Sequence, residues 1–377
     1  MRDFVRIIQA GDLHLGTAFS GSGFPVAKAK QRRRELLATF RRLCDTAVER
    51  DVDAMLLVGD LFEAEWVSQA EVAEVRHLLG EFGRPVFISP GNHDCLEAGG
   101  PYDWGDWPAN VHIFGPEVSS ISLADVRLTV HGFGYGSRWV KQNPFQGYRV
   151  PEDDFFQVVM IHGSYDAPEG TPYLPITKSE VEALGADYVA FGHYHQPQVL
   201  LGEERLLQAA YAGSLEPLGY DERDEHGAFL LDVTKGGARV EWLDVAERMY
   251  RRVEVDLTGC TSMLEAAEKV KEQIPLERKG RDLLDVVFVG TVDPSFLLDA
   301  DDLQDRVKEY VFHLRMQDHT EPDIDGDAYF PQSAPGRFAA KMRARLEEAT
   351  DERQRRILER ALALGLTAYE RGKVVRG

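Results

Sequence analysis

Apolar residues along the chain fall into short runs, and several of those runs stop at a glycine next to an acid, an amide or a histidine. Residues 4–9 read as a strand that ends at Gly11-Asp12-Leu13-His14. After a Gly/Ser-rich loop from Gly16 to Gly23, residues 28–50 carry Leu36, Leu37, Phe40, Leu43 and Val48 at helical spacing. Asp53 to Val58 is a short apolar strand ending at Gly59-Asp60. Ser68 with Glu71 three residues on forms a capping-box pattern for a helix through Leu79. Pro85 to Ser89 is the next strand, ending at Gly91-Asn92-His93-Asp94. The order is β-α-β-α-β. Open α/β sheets bind ligands outside the carboxyl ends of their strands, so these polar motifs are placed to converge.

Further strands are predicted at Val111–Phe114, Leu128–Gly132, Gln157–Ile161 and Tyr188–Phe191. The last two run into Ile161-His162-Gly163 and Gly192-His193-Tyr194-His195. Strands near Ala228–Leu231 and Ala238–Leu243 complete the set. Beyond residue 247 the pattern changes. Val253–Leu257 and Leu284–Val289 flank a helix from Thr261 to Gln273, and a helix at Leu303–Tyr310 leads into a strand at Val311–Met316. Asp318 to Gly336 is polar and contains Pro and Gly, as a linker would. Two amphipathic helices follow, with Phe338, Met342 and Leu346 on one and Ile357, Leu358, Ala361, Leu362, Leu364 and Leu366 on the other. The expected architecture is α/β: a two-layered mixed β-sheet core flanked by helices over residues 1–247, a small α+β domain over 248–320, and a linker with a C-terminal helical segment over 321–377.

Composition excludes some classes. Of 377 residues, 44% are hydrophobic and 28% charged, ordinary for a globular enzyme and unlike a disordered chain. No apolar run approaches the ~18 residues that span a bilayer, and the first strand leaves no room for a secretory leader. Cys44, Cys95 and Cys260 form neither a zinc pattern nor a disulfide framework, which suits a reducing compartment. A cytoplasmic location is therefore expected. The net charge of -20 speaks against a nucleic-acid partner, although bound metal ions would supply positive charge where a phosphate sits. Lys28, Lys30, Arg32, Arg33, Arg34, Arg41 and Arg42 cluster in one helix, and arginines recur from Arg337 onward. Solvated helix faces and anion-binding faces both fit such runs. Trp66, Trp104 and Trp107 fit core packing or an interface.

The strand-end residues suit hard divalent cations, which take carboxylate, amide oxygen and neutral imidazole together. Asp12-x-His14 and His193-x-His195 each put two side chains on one side of an extended segment. Asp60 offers a carboxylate able to bridge two ions, Asn92 a neutral oxygen, and His162 an imidazole. Singly, each motif is commonly a turn or a surface feature; what points to a metal centre is the ordered set, each member behind an apolar strand. His77, His112, His131, His226, His313 and His319 lack that framing and read as structural or surface, with His131 close enough in pattern to line the cleft.

The series Gly11-Asp12-Leu13-His14, Gly59-Asp60, Gly91-Asn92-His93-Asp94, His162-Gly163 and Gly192-His193-Tyr194-His195 resembles the calcineurin-like metallophosphoesterases over roughly the first 200 residues. Ala10 to Gly16, Gly59-Asp-Leu-Phe62 and Phe191-Gly-His-Tyr-His195 look most like the DNA repair nuclease branch, of the SbcD and YhaO type. The resemblance implies that Asp12, His14 and His195 hold one metal and Asn92, His162 and His193 the other, with Asp60 bridging. His93 would be the catalytic residue, contacting the phosphate or protonating the leaving oxygen. Many family phosphatases carry Asp three residues after the bridging aspartate to orient that histidine; here the position is Glu63, whose longer arm is open to the same job, although a solvent-exposed side chain is the favoured expectation. The resemblance further implies two divalent ions, Mn2+ by type, DNA as substrate, residues 248–320 as a cap over the site, and an SMC-like ATPase partner of the SbcC or YhaN type docking on the tail helices. The alternative for the tail is packing on its own domain; a homodimer is left open. A phosphodiesterase for small substrates such as cyclic nucleotides would use the same ligands. A catalytically silent scaffold conflicts with the complete ligand set.

Overall fold

The computed structural model describes residues 3–20, 23–168, 170–203, 206–293, 296–322 and 330–371. Residues 21–22 of the expected glycine-rich loop, 323–329 of the expected linker and 372–377 of the tail lie outside them. The chain divides into two compact units, Met1–Met249 and Tyr250–Gly377.

In the first unit, strands β1 (Val5–Ala10), β2 (Ala54–Leu57), β3 (Val86–Ile88) and β4 (Val111–Ile113) pair in parallel, with α1 (Val26–Glu49) and α2 (Gln69–Phe82) as crossovers. Strands β5 (Ser119–Leu123), β6 (Leu128–Gly132) and β7 (Phe156–His162) follow, then a short pair, β8 (Ser164–Tyr165) and β9 (Pro175–Ile176). Helix α3 (Lys178–Ala183) leads to β10 (Tyr188–Gly192), β11 (Gln198–Glu203), β12 (Leu206–Tyr211), β13 (Ala228–Thr234) and β14 (Gly237–Leu243). The large sheet runs β4-β3-β2-β1-β13-β14-β12-β10-β7-β6-β5, with β11 on β12. The antiparallel β13–β14 hairpin thus joins two largely parallel halves.

The sheet curls so that one face closes on itself. Ile7, Leu56 and Phe87 from one half pack with Val130, Val158, Met160 and Ala190 from the other. On the outer side of β1–β3, Ile8, Met55, Leu57 and Ile88 meet Leu36, Phe40 and Leu43 of α1 and Val72, Val75 and Leu79 of α2. On the outer side of β7 and β10, Val159, Ile161, Val189 and Phe191 meet Val181, Leu184 and Tyr135. Strands covered on both faces must be apolar throughout, which is why Ala54-Met-Leu-Leu57 reads as a continuous run rather than an alternation. The expected two-layered mixed core is present, formed by one continuous folded sheet. Helix α2 begins at the expected capping box, Ser68 accepting from the Glu71 N–H while Glu71 accepts from the Ser68 N–H, and it ends at Gly83 with φ +67°.

Neither expectation for the basic helix describes α1 fully. Arg32 is wholly buried and donates to Glu216 at 3.0 Å and to the Pro217 carbonyl at 2.9 Å. Arg33 pairs with Glu71, Arg41 with Glu74 and Arg42 with Glu247. The acids that make the chain so negative lie partly against this helix and neutralise it.

In the second unit, β15 (Tyr250–Asp256), β16 (Leu283–Val289) and β18 (His313–Asp318) form a parallel sheet crossed by α4 (Met263–Lys271) and α5 (Ala300–Val307). Val255, Val286 and Phe288 pack with Ala266, Val270, Leu303 and Val307 in its core. A short pair, β17 (Thr291–Val292) with β19 (Glu321–Pro322), places regular structure where the linker was expected to have begun. Helices α6 (Ala334–Glu347) and α7 (Glu352–Arg371) pack on each other, burying Ala339, Met342 and Leu366 and setting Phe338 against Tyr369 at 6.1 Å between ring centroids. Ile357, Leu364 and Tyr369 stay exposed.

Candidate metal centre

Five strands of the first unit deliver polar side chains at their carboxyl ends. Asp12 and His14 follow β1, Asp60 follows β2, Asn92 and His93 follow β3, His162 closes β7, and His193 and His195 follow β10. The two halves of the sheet meet here: Gly11 bridges to Ser214 beyond β12, and the Gln9 amide donates to the carbonyls of Phe191 and Ala210. The Asp12 N–H donates to Gly59 O at 3.0 Å and the His14 N–H to Asp60 O at 2.9 Å, locking the first two loops together. Asp12, His14, Asp60 and His193 all have positive φ, at 50°, 45°, 47° and 108°. Such backbone costs of order 1–3 kcal/mol per residue and gathers at functional sites. Gly59 has φ +82°, and a β-carbon there would enter the His162 ring.

The side chains converge closely. His14 Nε2 lies 3.2 Å from His195 Nε2 and 3.7 Å from Asp60 Oδ2. His162 Nε2 lies 3.3 Å from Asp60 Oδ2 and 3.1 Å from Asn92 Oδ1. Asp12 Oδ1 stands 4.0 Å from both His195 Nε2 and His162 Nδ1, and accepts from the His193 N–H. Ligand atoms of Asp12, His14 and His195 lie within 4.8 Å of one another, as do those of Asp12, Asp60 and His162 and those of His14, Asp60 and His93. His193 joins none of these groupings; its ring lies 5.3 Å from that of His162 and 5.0 Å from that of Tyr173, centroid to centroid.

This donor set fits divalent cations. Asp12 and Asp60 are both buried, yet among the described residues no lysine or arginine pairs with them, so imidazoles are their counter-groups. His14 Nδ1 faces Glu63 at 3.2 Å and His195 Nδ1 faces Glu222 at 2.7 Å. In the neutral, metal-binding form of the rings those hydrogen bonds place the proton on Nδ1 and turn the two Nε2 lone pairs toward each other. A cation between them relieves that opposition.

The metal-free electrostatics carry the same signature. Burial raises the Asp12 carboxyl above its ordinary value, and nearby histidines only partly offset it. For Asp60 burial also acts upward, but His162, His14 and His93 outweigh it and hold the group far below the usual range. Burial opposes charging of His162, yet Asp60 and Asp12 push it up to about 9. Burial likewise opposes charging of His195, which Glu222 and Asp12 push up to about 9. Burial together with His162 pushes His193 down to about 3.

Of the two readings of Glu63, the favoured solvent-exposed one is overturned, and the geometry agrees with the longer arm. Glu63 is not a free surface side chain: one carboxylate accepts from His93 Nδ1, at 3.0 and 3.1 Å, and from His14 Nδ1. The longer glutamate arm lets it reach two rings at once. Burial is outweighed by those two contacts, which hold Glu63 at about 2. Its hydrogen bond raises His93, which, like His193 and His195, is partly exposed. Glu222 was not singled out from sequence; it stands 27 residues from His195 in a polar loop, with no spacing that announces it. Asp94, read only as part of a motif, is wholly buried and accepts from the N–H groups of Leu61, Phe62 and Gly91 and from Tyr102 Oη, tying the β2 and β3 loops. His131 does not line the site: its ring bonds Tyr148 and Gln157. Trp104 and Trp107 pack on the core, whereas Trp66 is 55% exposed.

A folded sheet whose strand ends gather aspartates, histidines and an asparagine into one close cluster is the framework of a metal-dependent ester hydrolase. Residues 5–197 match the calcineurin-like phosphoesterase family, and the chain belongs to it. It is therefore a metal-dependent phosphoesterase, on the DNA repair nuclease side of that family. It is 33% identical over 341 residues to the uncharacterized metallophosphoesterase YhaO of Bacillus subtilis (strain 168), covering 84% of this chain and 82% of that protein. It is 29% identical over 300 residues to the DNA double-strand break repair protein Mre11 of Methanopyrus kandleri, covering 67% of this chain and 61% of that protein. To the Mre11 of Haloferax volcanii it is 25% identical over 337 residues, covering 85% and 69%. Among the described residues, no helix is long and apolar enough to cross a membrane.

Proposed function

We propose that this chain is a Mn2+-dependent DNA exo/endonuclease, the nuclease subunit of a cytoplasmic DNA repair complex. Asp12, His14 and His195 hold one ion, Asn92, His162 and His193 the other, and Asp60 lies between them; two ions so held supply positive charge for a phosphodiester and ease the loss of a proton from water. His93 is the catalytic residue. The observation that carries this assignment is that its Nδ1 is tied to Glu63 at 3.0 Å while the ring stays partly exposed beside the buried Asp60 and His14. The ring can then present a proton at Nε2 to a departing sugar oxygen, the general acid contribution being typically about 10²–10⁴-fold. Residues 248–320 serve as a cap that positions DNA. The α6–α7 pair, with Ile357, Leu364 and Tyr369 outward, is the docking face for an SMC-like ATPase. Removal of residues 334–377 should abolish pull-down of that partner without loss of solubility.

A second reading, a phosphodiesterase of small substrates such as cyclic nucleotides, draws support from the net charge of -20 and from the acids that occupy Arg32, Arg33, Arg41 and Arg42 of α1. The deciding experiment is Mn2+-dependent degradation of end-labelled linear double- and single-stranded DNA by the wild type and by His93→Ala. Cleavage by the wild type, lost in the variant while Mn2+ is still bound, is the expected result. No DNA cleavage by the metal-loaded wild type, alongside turnover of a small diester, transfers the assignment to the second reading.

A further inference from the structure

The two sets of imidazoles are not backed alike. His14 and His195 both turn Nδ1 to a glutamate, Glu63 and Glu222. His162 turns Nδ1 to a neutral backbone carbonyl, Val58 O, at 3.1 Å. The ligand facing His162 Nε2 is the uncharged Asn92. Glu222 is itself held in place: the Leu218 N–H donates to Oε2 at 2.9 Å and Ser214 Oγ donates to the same oxygen at 3.2 Å, leaving Oε1 for His195. Ser214 in turn bridges to Gly11, so the Glu222 loop is fixed to the strand end that carries Asp12 and His14. A carboxylate behind a ligating imidazole fixes its tautomer, aims its lone pair and raises its basicity. The Asp12–His14–His195 cluster therefore has two carboxylates behind its imidazoles, whereas His162, although Asp12 stands 4.0 Å away and Asp60 is shared, has a neutral carbonyl as its Nδ1 hydrogen-bond partner.

We propose that Glu222 is a positioning residue which, together with Glu63, makes the Asp12–His14–His195 cluster the tighter of two unequal cation sites, so that it fills first. This rests on the reading that these residues hold two divalent ions. The test is calorimetric titration of metal-free protein with Mn2+, followed in parallel by the electron paramagnetic resonance signal of the bound ion. The wild type should take up two ions in two separable steps. Glu222→Gln, which removes the charge but keeps the shape, should weaken the tighter step by about 10- to 100-fold and leave the weaker step in place. Ser214→Ala, which frees one anchor of Glu222 and alters no ligand, should weaken the same step less, and keeps the test usable should Glu222→Gln fail to fold. Metal-free Glu222→Gln should still unfold in one cooperative transition, and the exposed Glu225→Gln should bind as the wild type does. Unchanged binding in both Glu222→Gln and Ser214→Ala, or a loss confined to the weaker step, overturns the inference. A wild type that takes up no Mn2+, or a His195→Ala that keeps both steps, overturns the metal-site reading itself.

Discussion

Gly59 sits between the Asp12 and Asp60 loops at φ +82°, with the His162 ring where a side chain would go. Gly59→Ala should lower stability by at least the ~1–3 kcal/mol of a forced left-handed residue and displace His162 as well. A lower urea midpoint together with weaker Mn2+ binding would show it; wild-type values for both would mean that the loop relaxes freely. At this scale the sequence was informative where chemistry and strand end coincide. Asp12-x-His14 and His193-x-His195 could be picked out because each follows an apolar run, and the structure brings Asp12, His14 and His195 together as a group. Glu63 could be marked only through the resemblance, with two roles open, and Glu222 could not be marked at all. Their roles depend on which imidazole nitrogen faces which loop, a fact fixed by packing between distant segments and by nothing in their own neighbourhoods.

The helices around the core carry local rules that can be tested singly. Ser68 accepts from the Glu71 N–H at 3.3 Å at the start of α2, and Ser68→Ala should cost about 1 kcal/mol, read as a shift in denaturant midpoint at constant slope. Glu35 of α1 has a lowered carboxyl value, because Arg248 and Arg32 outweigh the burial that would raise it. A depressed carboxyl adds stability that is complete above the unfolded value near 4.5 and is lost as pH falls through the folded value. Glu35→Gln should thus lower stability at pH 7 by about 1–3 kcal/mol, the range for hydrogen bonds to charged groups, with the gap to wild type closing in acid. A gap that does not change between pH 7 and pH 3 would mean that the ion pair contributes little. Buried strands such as β7 and β10 were visible as apolar runs, whereas β11, largely exposed, has no buried face and so no alternation to find. Helix α3 is only six residues long, too short for periodicity to register, although its Thr177–Glu180 capping box was there in the sequence.

For the molecule as a whole, the informative fact is where the seven proposed ligands come from. Asp12, His14, Asp60 and Asn92 hang from the β1–β3 half of the sheet, and His162, His193 and His195 from the β7–β10 half. Ions held among them would fasten one layer of the first unit to the other. A ligand present at 100 times its dissociation constant stabilises the folded state by about 2.7 kcal/mol, so Mn2+ should raise the melting temperature and a chelator should reverse it. Identical melting with and without chelator would show that the layers do not depend on the ions. The overall charge says less about this molecule than any motif. Its sum of -20 conceals that Glu71, Glu74, Glu216 and Glu247 are spent against α1, and no count of residue types reveals that pairing.

Ions that fastened the layers would also bear on how long each molecule lasts. A chain without them would keep left-handed backbone and two buried aspartates at the seam, and would open more often than a loaded one. Degradation of briefly opened proteins follows the population of the open form. Chains unable to work would then be the first to meet a protease, and the standing pool would be enriched in those that carry their ions.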